Sequence, residues 1–316
     1  MSDSSSAGDE RLAVFATVRD LFRYAVSRFN AAGLAFGHGA TDAVDEAAFI
    51  VLEGLKLPID SLDPFLDARL TEAERARLLS LIDARVATRK PAAYLLGRAY
   101  IQGIPFYVDE RAIVPRSFIG ELLFHGLVGP GALIDEPETI ASVLDLCAGG
   151  GSLAILAARV FPNAIVDAVD LSADALAVAR RNVDEHGLAD RVTLVKGDLF
   201  APLEGRRYDL ILANPPYVDA ESLAAFPPEY AAEPRIAHAG GADGLDVVRR
   251  ILADAAAHLN PGGALVCEVG RARGKLEAAY PDLPFLWLDA EESEAEGEVF
   301  VLRADQLAPR PQRRRR

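Results

Sequence analysis

The sequence predicts an α/β chain: a mostly parallel sheet with helices on both faces and an antiparallel last strand. A small helical domain precedes the sheet and is joined to it by a β-hairpin. Three observations predict this. From Ser142 onward, short apolar runs alternate with amphipathic ones, the pattern of βα units that feed a parallel sheet. The last two apolar runs are separated only by an acidic loop, a connection short enough to give only an antiparallel pair. Residues 11–90 carry apolar stripes at helical spacing, opened by capping signals.

In the N-terminal part, "LAVFATVRDLFRYAVSRF" places Leu12, Phe15, Val18, Leu21, Phe22, Ala25, Val26 and Phe29 on one helical stripe. "TDAVDEAAFIVLEGL" opens on a Thr–Asp cap, and "TEAERARLLSLIDARVATRK" on a Thr71/Glu74 capping box. Pro58, Pro64 and Pro91 punctuate these helices, and His38 lies in a Gly-rich turn read as surface. Next, "AYIQGIPFYVDERAIVP" reads as short strands turning at Asp109–Glu110. The sheet strands are "SVLDLC", "AIVDAVDL", "VTLVKGD", "YDLILAN", "ALVCEVG", "FLWLD" and "EVFVLR". Between them, "SLAILAARVF", "ADALAVARRNVDEHG" and "GLDVVRRILADAAAHL" are helical, the last stopped by Asn260–Pro261–Gly262–Gly263. The expected divisions are 1–93 helical, 94–120 hairpin linker, 121–307 sheet domain and 308–316 basic tail.

Bulk properties narrow the function. The chain has 316 residues and a formal charge of −14. A strongly acidic chain does not suit the phosphate backbone of nucleic acid, which needs a basic face; it suits a basic protein partner. Only the tail "APRPQRRRR" is basic. Cys147 and Cys267 sit in apolar strand-like segments and read as free thiols in a reducing compartment. No apolar run spans a bilayer and the first residues lack a signal-peptide pattern, so the expected location is the cytoplasm. No His/Cys cluster has metal-ligand spacing, and His186, His238 and His258 read as surface or packing residues.

The chemistry lies where strands end. The first finishes at Asp145, and Cys147, Ala148, Gly149, Gly150 and Gly151 follow before a helix begins near Ser152. Glycines there let the backbone approach a ligand, and the helix N-terminus offers free N–H groups. The second finishes at Asp170–Leu171, the third at Asp198–Leu199, and the fourth at Asn214–Pro215–Pro216–Tyr217. An acidic residue about twenty positions beyond the glycines is placed for ribose hydroxyls. The glycine loop matches neither the dinucleotide fingerprint nor a triphosphate loop. Proline lacks an N–H and forces its predecessor into an extended conformation. Asn214 therefore stands at a strand end among carbonyls, a place built to accept hydrogen bonds.

Asp145–Gly151, Asp170, Asp198 and Asn214–Tyr217 together resemble the class I methyltransferases that modify a planar amide or amine nitrogen. "FYVDERAIVPRSFIGELL", "NPPYVDAESLAAFPPEYAAEPRIAHAGGADGLDVVRRIL" and "YPDLPFLWLD" resemble the protein-glutamine N5-methyltransferases. Among these the chain is similar to the branch acting on large-subunit ribosomal protein L-three. The release-factor branch carries a "PRPETE"-like run where this chain has Pro115–Arg116–Ser117–Phe118–Ile119.

The resemblance implies a Rossmann-like methyltransferase sheet with S-adenosyl-L-methionine as cofactor. It implies Asp145, Cys147, Ala148, Gly149, Gly151, Asp170, Leu171, Asp198, Leu199 and Asn214 at the cofactor, and Asn214, Pro215, Pro216 and Tyr217 at the reacting amide. It further implies a basic ribosomal protein or a release factor as partner, and substrate recognition by the helical domain. Two departures stand out: the glycine loop reads Ala148–Gly149–Gly150–Gly151–Ser152, and the final loop reads "EAEGEVF" rather than Gly-rich. Two further readings stay open at this point. One is a nucleic-acid adenine methyltransferase, which needs a backbone-gripping region that this chain offers only in its tail. The other is a non-catalytic ribosome assembly factor.

Overall fold

The structure, a computed structural model, describes residues 11–290 and 297–307. The acidic loop and basic tail singled out in the sequence fall largely outside the described residues. The chain divides into two compact units. One runs as far as Glu110 and also takes in Phe226–Ala232; the other comprises Arg111–Ala225 and the chain from Glu233 onward.

The first unit holds α1 (Val18–Ala31), α2 (Ala43–Leu55), α3 (Glu72–Thr88) and α4 (Ala92–Leu96). Each long helix starts where a side chain satisfies its free N–H groups. Thr71 and Glu74 form the expected capping box, and Asp42 caps α2 through Val44 N and Asp45 N. The first helix does not run unbroken from Leu12. Thr17 is extended and forms a capping box with Asp20, so α1 begins at Val18. Leu21, Ala25 and Phe29 of α1 pack with Ile50 and Val51 of α2 and Leu78 and Ile82 of α3.

Inside this apolar core lies a buried ionic cluster. Arg85 donates to Glu46 at 2.8 Å and to the Ala35 carbonyl at 3.1 Å. Glu229, from the inserted segment, accepts from Ala35 N and pairs with Arg89 at 2.6 Å. His38 is buried rather than superficial, its ring 4.2 Å from that of Tyr230. The hairpin pairs β1 (Ala99–Ile101) with β2 (Ile104–Phe106). Its turn lies at Gln102–Gly103, not at Asp109–Glu110, and both residues have positive φ. A two-residue loop needs that conformation to match strand twist.

The second unit opens with α5 (Phe118–His125) and builds one sheet from β3 (Ser142–Leu146), β4 (Ile165–Asp170), β5 (Val192–Lys196), β6 (Tyr208–Ala213), β7 (Leu259–Glu268), β8 (Leu286–Leu288) and β9 (Val299–Arg303). Its order is β5-β4-β3-β6-β7-β9-β8. β3 to β7 pair in parallel, and β9 is antiparallel to both β7 and β8. Val143, Leu144 and Leu146 of β3 and Ile211, Leu212 and Ala213 of β6 are buried, as strands covered on both faces must be. The N-P-G-G run does not stop before β7. Tyr208 pairs with Leu259 and Leu210 with Ala264, so the run forms a bulge within the strand.

Candidate active site

The strand order brings the polar strand ends together. β5, β4, β3 and β6 are consecutive neighbours and run in the same direction. Asp198, Asp170, the loop after Asp145, and Asn214 therefore line one edge in that order, one strand spacing of about 4.8 Å apart. The chain builds outward from β3 to β4 and β5, then crosses to β6. This is the switch point at which open α/β sheets hold ligands, beyond the carboxyl ends of their strands.

The half of the edge beside β3 is preorganised by carboxylates. Asp170 accepts Gly149 N at 2.8 Å on one oxygen and Ser172 N at 2.7 Å on the other. It thereby fixes the loop that follows β3. Burial raises its pKa, and these two backbone donors oppose the rise. In that loop Cys147, Gly149 and Gly151 all have positive φ. Asp145 is buried and accepts Ala154 N at 2.9 Å through Oδ2. Its Oδ1 is also buried and has no hydrogen-bond partner among the described residues. Burial pushes the Asp145 carboxyl up to about 8. A buried polar atom without a partner costs about 1–3 kcal/mol, so Oδ1 is left for a ligand group, and a cationic donor there would favour the ionised carboxylate. Leu171 is 53% exposed next to Asp170. Asp198 is ion-paired through Oδ2 with Arg250 at 2.8 Å, and Leu199 is buried behind it. The Cys147 and Cys267 thiols are free, and burial raises both well above the usual thiol range.

The other half is the Asn214–Tyr217 turn. Asn214 Nδ2 donates to the Arg116 carbonyl at 3.4 Å, which leaves Oδ1 as its acceptor. The turn is then gripped from the loop that follows it. Val218 N donates to the His238 carbonyl, and Gly240 N to the Val218 carbonyl. Gly240 lies so close that a Cβ there would stand 2.8 Å from the Pro216 carbonyl. Glu233 is buried and accepts both arms of Arg116 at 2.7 Å and Val114 N at 2.9 Å. His238 Nε2 lies 2.8 Å from the same carboxylate, so His238 is a buried packing residue against Glu233 and not a surface one. Tyr217 donates its hydroxyl to Glu268 at 3.0 Å. Its ring lies against Gly270, whose φ is +52° and where a Cβ would stand 2.6 Å from the ring.

Comparison with known proteins adds the decisive observation. The chain is 62% identical over 294 residues to the ribosomal protein uL3 glutamine methyltransferase of Bradyrhizobium diazoefficiens, covering 92% of each chain. This chain belongs to the uL3 glutamine methyltransferase family. The enzymes of that name from Burkholderia pseudomallei and Bordetella pertussis are 54% and 55% identical, over 93% and 92% of this chain and 96% of theirs. Residues 131–226 match the family "Methyltransferase small domain". Among solved structures, TrmN from Thermus thermophilus is 27% identical over 52% of this chain and 43% of that one, with a TM-score of 0.39.

In this methyltransferase the sequence reading missed Arg116, Glu233 and Glu268. Each is a single polar residue in a run read for another purpose. The signal available was an acidic residue inside the apolar strand "ALVCEVG", where an unpaired charge is costly. No helix among the described residues is long and apolar enough to cross a membrane.

Proposed function

We propose that this chain methylates the side-chain amide nitrogen of a glutamine in ribosomal protein uL3, with S-adenosylmethionine as methyl donor. The observation that carries the reading is the fixed acceptor at the end of β6: Asn214 turns its Nδ2 to the Arg116 carbonyl and keeps Oδ1 for a substrate N–H. The curated relatives act on uL3 by name; a release-factor substrate draws no support from them.

The sheet edge fits the donor. Asp145 Oδ1 is buried and without a donor, which suits the ammonium of an amino-acid moiety. Asp170 spends one acceptor site of each oxygen on backbone N–H groups, and a carboxylate has about four, so sites remain for ribose hydroxyls. Ala148, Gly149 and Gly151, preceded by Cys147 with its positive φ, supply close backbone approach. Leu171, Asp198 and Leu199 flank the outer part of the edge. When bound, S-adenosylmethionine supplies an electrophilic methyl group carried on a sulfonium.

The protein's own part is orientation. A glutamine amide nitrogen is a weak nucleophile because its lone pair is delocalised into the carbonyl. Asn214 Oδ1 and the Pro215 carbonyl take its two N–H bonds, fix its plane and favour the change towards a pyramidal nitrogen. They also face the positive charge that develops there, an oxyanion hole with the signs reversed. Pro215 and Pro216 make the turn rigid, so the acceptors need no reorganisation. Tyr217, tethered by its hydroxyl, forms a wall beside the amide plane. A methylated amide that still holds both protons is strongly acidic and loses one to water, so no dedicated base is needed.

The test is methyl transfer to unmethylated uL3, a release factor and an adenine-containing duplex, read by mass spectrometry. One methyl on a uL3 glutamine supports the reading; transfer only to another substrate overturns it. Asn214→Ala lowers single-turnover rate by about a hundredfold or more, the effect of losing one preorganised transition-state hydrogen bond. A rate within a few-fold of wild type removes Asn214 from that role.

A further inference from the structure

We propose that Glu268 is a positioning residue for methyl transfer, holding the Asn214–Tyr217 turn closed through the Tyr217 hydroxyl. The proposal rests on the methyltransferase reading of that turn. Glu268 is the last residue of β7, and Ala213, the last of β6, pairs with Cys267, so Glu268 stands level with Asn214, the first residue beyond β6. Its carboxylate is buried and accepts three donors. Oε1 takes the Tyr217 hydroxyl at 3.0 Å; Oε2 takes Ser117 Oγ at 2.7 Å and Phe118 N at 3.0 Å.

These contacts complete a ring. Asn214 donates to the Arg116 carbonyl. The chain continues from Arg116 to Ser117, and Ser117 donates to Glu268. Glu268 holds Tyr217, which leads back through Pro216 and Pro215 to Asn214. The Asn214 side chain and the Tyr217 ring are thus fixed to one another by Glu268 and by the start of α5. Capping α5 alone does not call for this residue, since Ser117 already caps Ile119 N and a neutral acceptor serves Phe118 N as well. What the charge adds is a stronger bond to the Tyr217 hydroxyl, charge-assisted bonds being about twice as strong as neutral ones.

The groups facing Glu268 are Tyr217, Ser117, Phe118 N and Glu298, with Arg116 facing Tyr217. Burial pushes the Glu268 carboxyl up to about 7; the Ser117 and Tyr217 bonds oppose this and the Glu298 charge adds to it. The carboxylate therefore protonates just where turnover is measured. Its protonated form donates to Tyr217 instead of accepting, and Glu268→Gln reproduces that reversed, neutral bond without changing shape.

The experiment compares kcat and KM for uL3 and S-adenosylmethionine in wild type, Glu268→Gln, Tyr217→Phe and the double variant, from pH 5.5 to 8.5. The expected result is a fall in kcat of roughly ten- to a hundredfold in either single variant, the scale of an ångström-sized misplacement, with the cofactor KM little changed. The double variant falls no further than the worse single one. Wild-type kcat rises with pH through about 7, and Glu268→Gln lacks that rise. Additive losses, a Gln variant within twofold of wild type, or a rise retained in the Gln variant overturns the proposal. Should Glu268→Gln fail to fold, Tyr217→Phe decides alone: an unchanged kcat there is a refutation. An active Asn214→Ala enzyme would instead sink the underlying reading, whatever Glu268 does.

Discussion

Glu233→Gln tests whether the loop behind the Asn214–Tyr217 turn sets its geometry. Glu233 Oε1 accepts Val114 N at 2.9 Å and Arg116 Nη1 at 2.7 Å, and Oε2 accepts Arg116 Nη2 at 2.7 Å. Glutamine has the same shape but one oxygen. Placed at Oε1, that oxygen keeps Val114 N and one Arg116 arm, while the new NH₂ faces the other arm, donor against donor, and also His238 Nε2, which lies 2.8 Å from Oε2. One charge-assisted bond is lost, worth about 1.5–3 kcal/mol when buried. The Arg116 side chain is 29% exposed, so solvent recovers part of this, and we expect a loss of about 2 kcal/mol. For a folding unit of this size that lowers the melting temperature by roughly 4–8 °C. The functional effect follows from the backbone: the Arg116 carbonyl is the acceptor for Asn214 Nδ2, so loosening Arg116 loosens Asn214. Single-turnover rate should fall more than cofactor affinity. Arg116→Lys should not substitute for the wild type, because an ammonium cannot serve both oxygens as a planar fork does. Differential scanning calorimetry and single-turnover methylation of uL3 check both halves. An unchanged melting temperature together with a rate within twofold of wild type would refute the argument.

Two predictions concern the cofactor half of the edge. Asp170→Ala strips the partners from Gly149 N and Ser172 N and removes the proposed ribose acceptor. It should weaken S-adenosylmethionine binding by roughly tenfold or more, the worth of bonds to a charged acceptor, and more than it slows the chemical step. Unchanged affinity by titration calorimetry contradicts it. Asp145→Asn keeps the bond from Ala154 N and abolishes a charge that burial disfavours. Because the folded Asp145 pKa, about 8, exceeds the unfolded value of about 3.9, its contribution to wild-type stability is fully present below pH 4 and is lost progressively up to about pH 8. Melting of the ligand-free proteins should therefore shift in favour of the variant between pH 5 and pH 8, while its cofactor affinity drops. A pH-independent difference in melting temperature contradicts the first half, and unchanged affinity the second.

Local pattern revealed what depends on local pattern. The alternation after Ser142 gave the parallel sheet because a buried strand and an amphipathic helix bury different periodicities. The Thr71–Glu74 box and the Asp42 cap were legible because each is a contact within three residues. Two local readings went astray for reasons equally local. The helical stripe from Leu12 to Phe29 overrode the Thr17–Asp20 capping box within it. The acidic pair Asp109–Glu110 drew attention from Gln102–Gly103, where a glutamine adopts positive φ. Glu268 was out of reach in another sense. Its partners lie 51 and 151 residues away: Tyr217 meets it because β6 and β7 are neighbours in register, and Ser117 because the start of α5 lies at the end of β7. Nothing in the strand "ALVCEVG" encodes that adjacency.

Two buried carboxylates, Glu233 and Glu268, bracket the same short run. Glu233 takes Val114 N and the Arg116 side chain; Glu268 takes Ser117 Oγ and Phe118 N. Burying a carboxylate costs several kcal/mol unless donors surround it, and here donors come from four of the five residues from Val114 to Phe118, all but Pro115. This segment is therefore held from two sides, next to the Asn214–Tyr217 turn. It is also the run in which the chain departs from the "PRPETE" pattern of the related release-factor branch. Arg116 falls where that pattern has its arginine, so the clamp by Glu233 is compatible with either sequence. Ser117 and Phe118 depart from it, and they are the residues held by Glu268. A change there alters how Tyr217 is tethered while leaving Asn214 and its backbone acceptor in place. The departure from that pattern thus falls on the contacts that tether Tyr217 through Glu268, and not on the Arg116 carbonyl that holds Asn214.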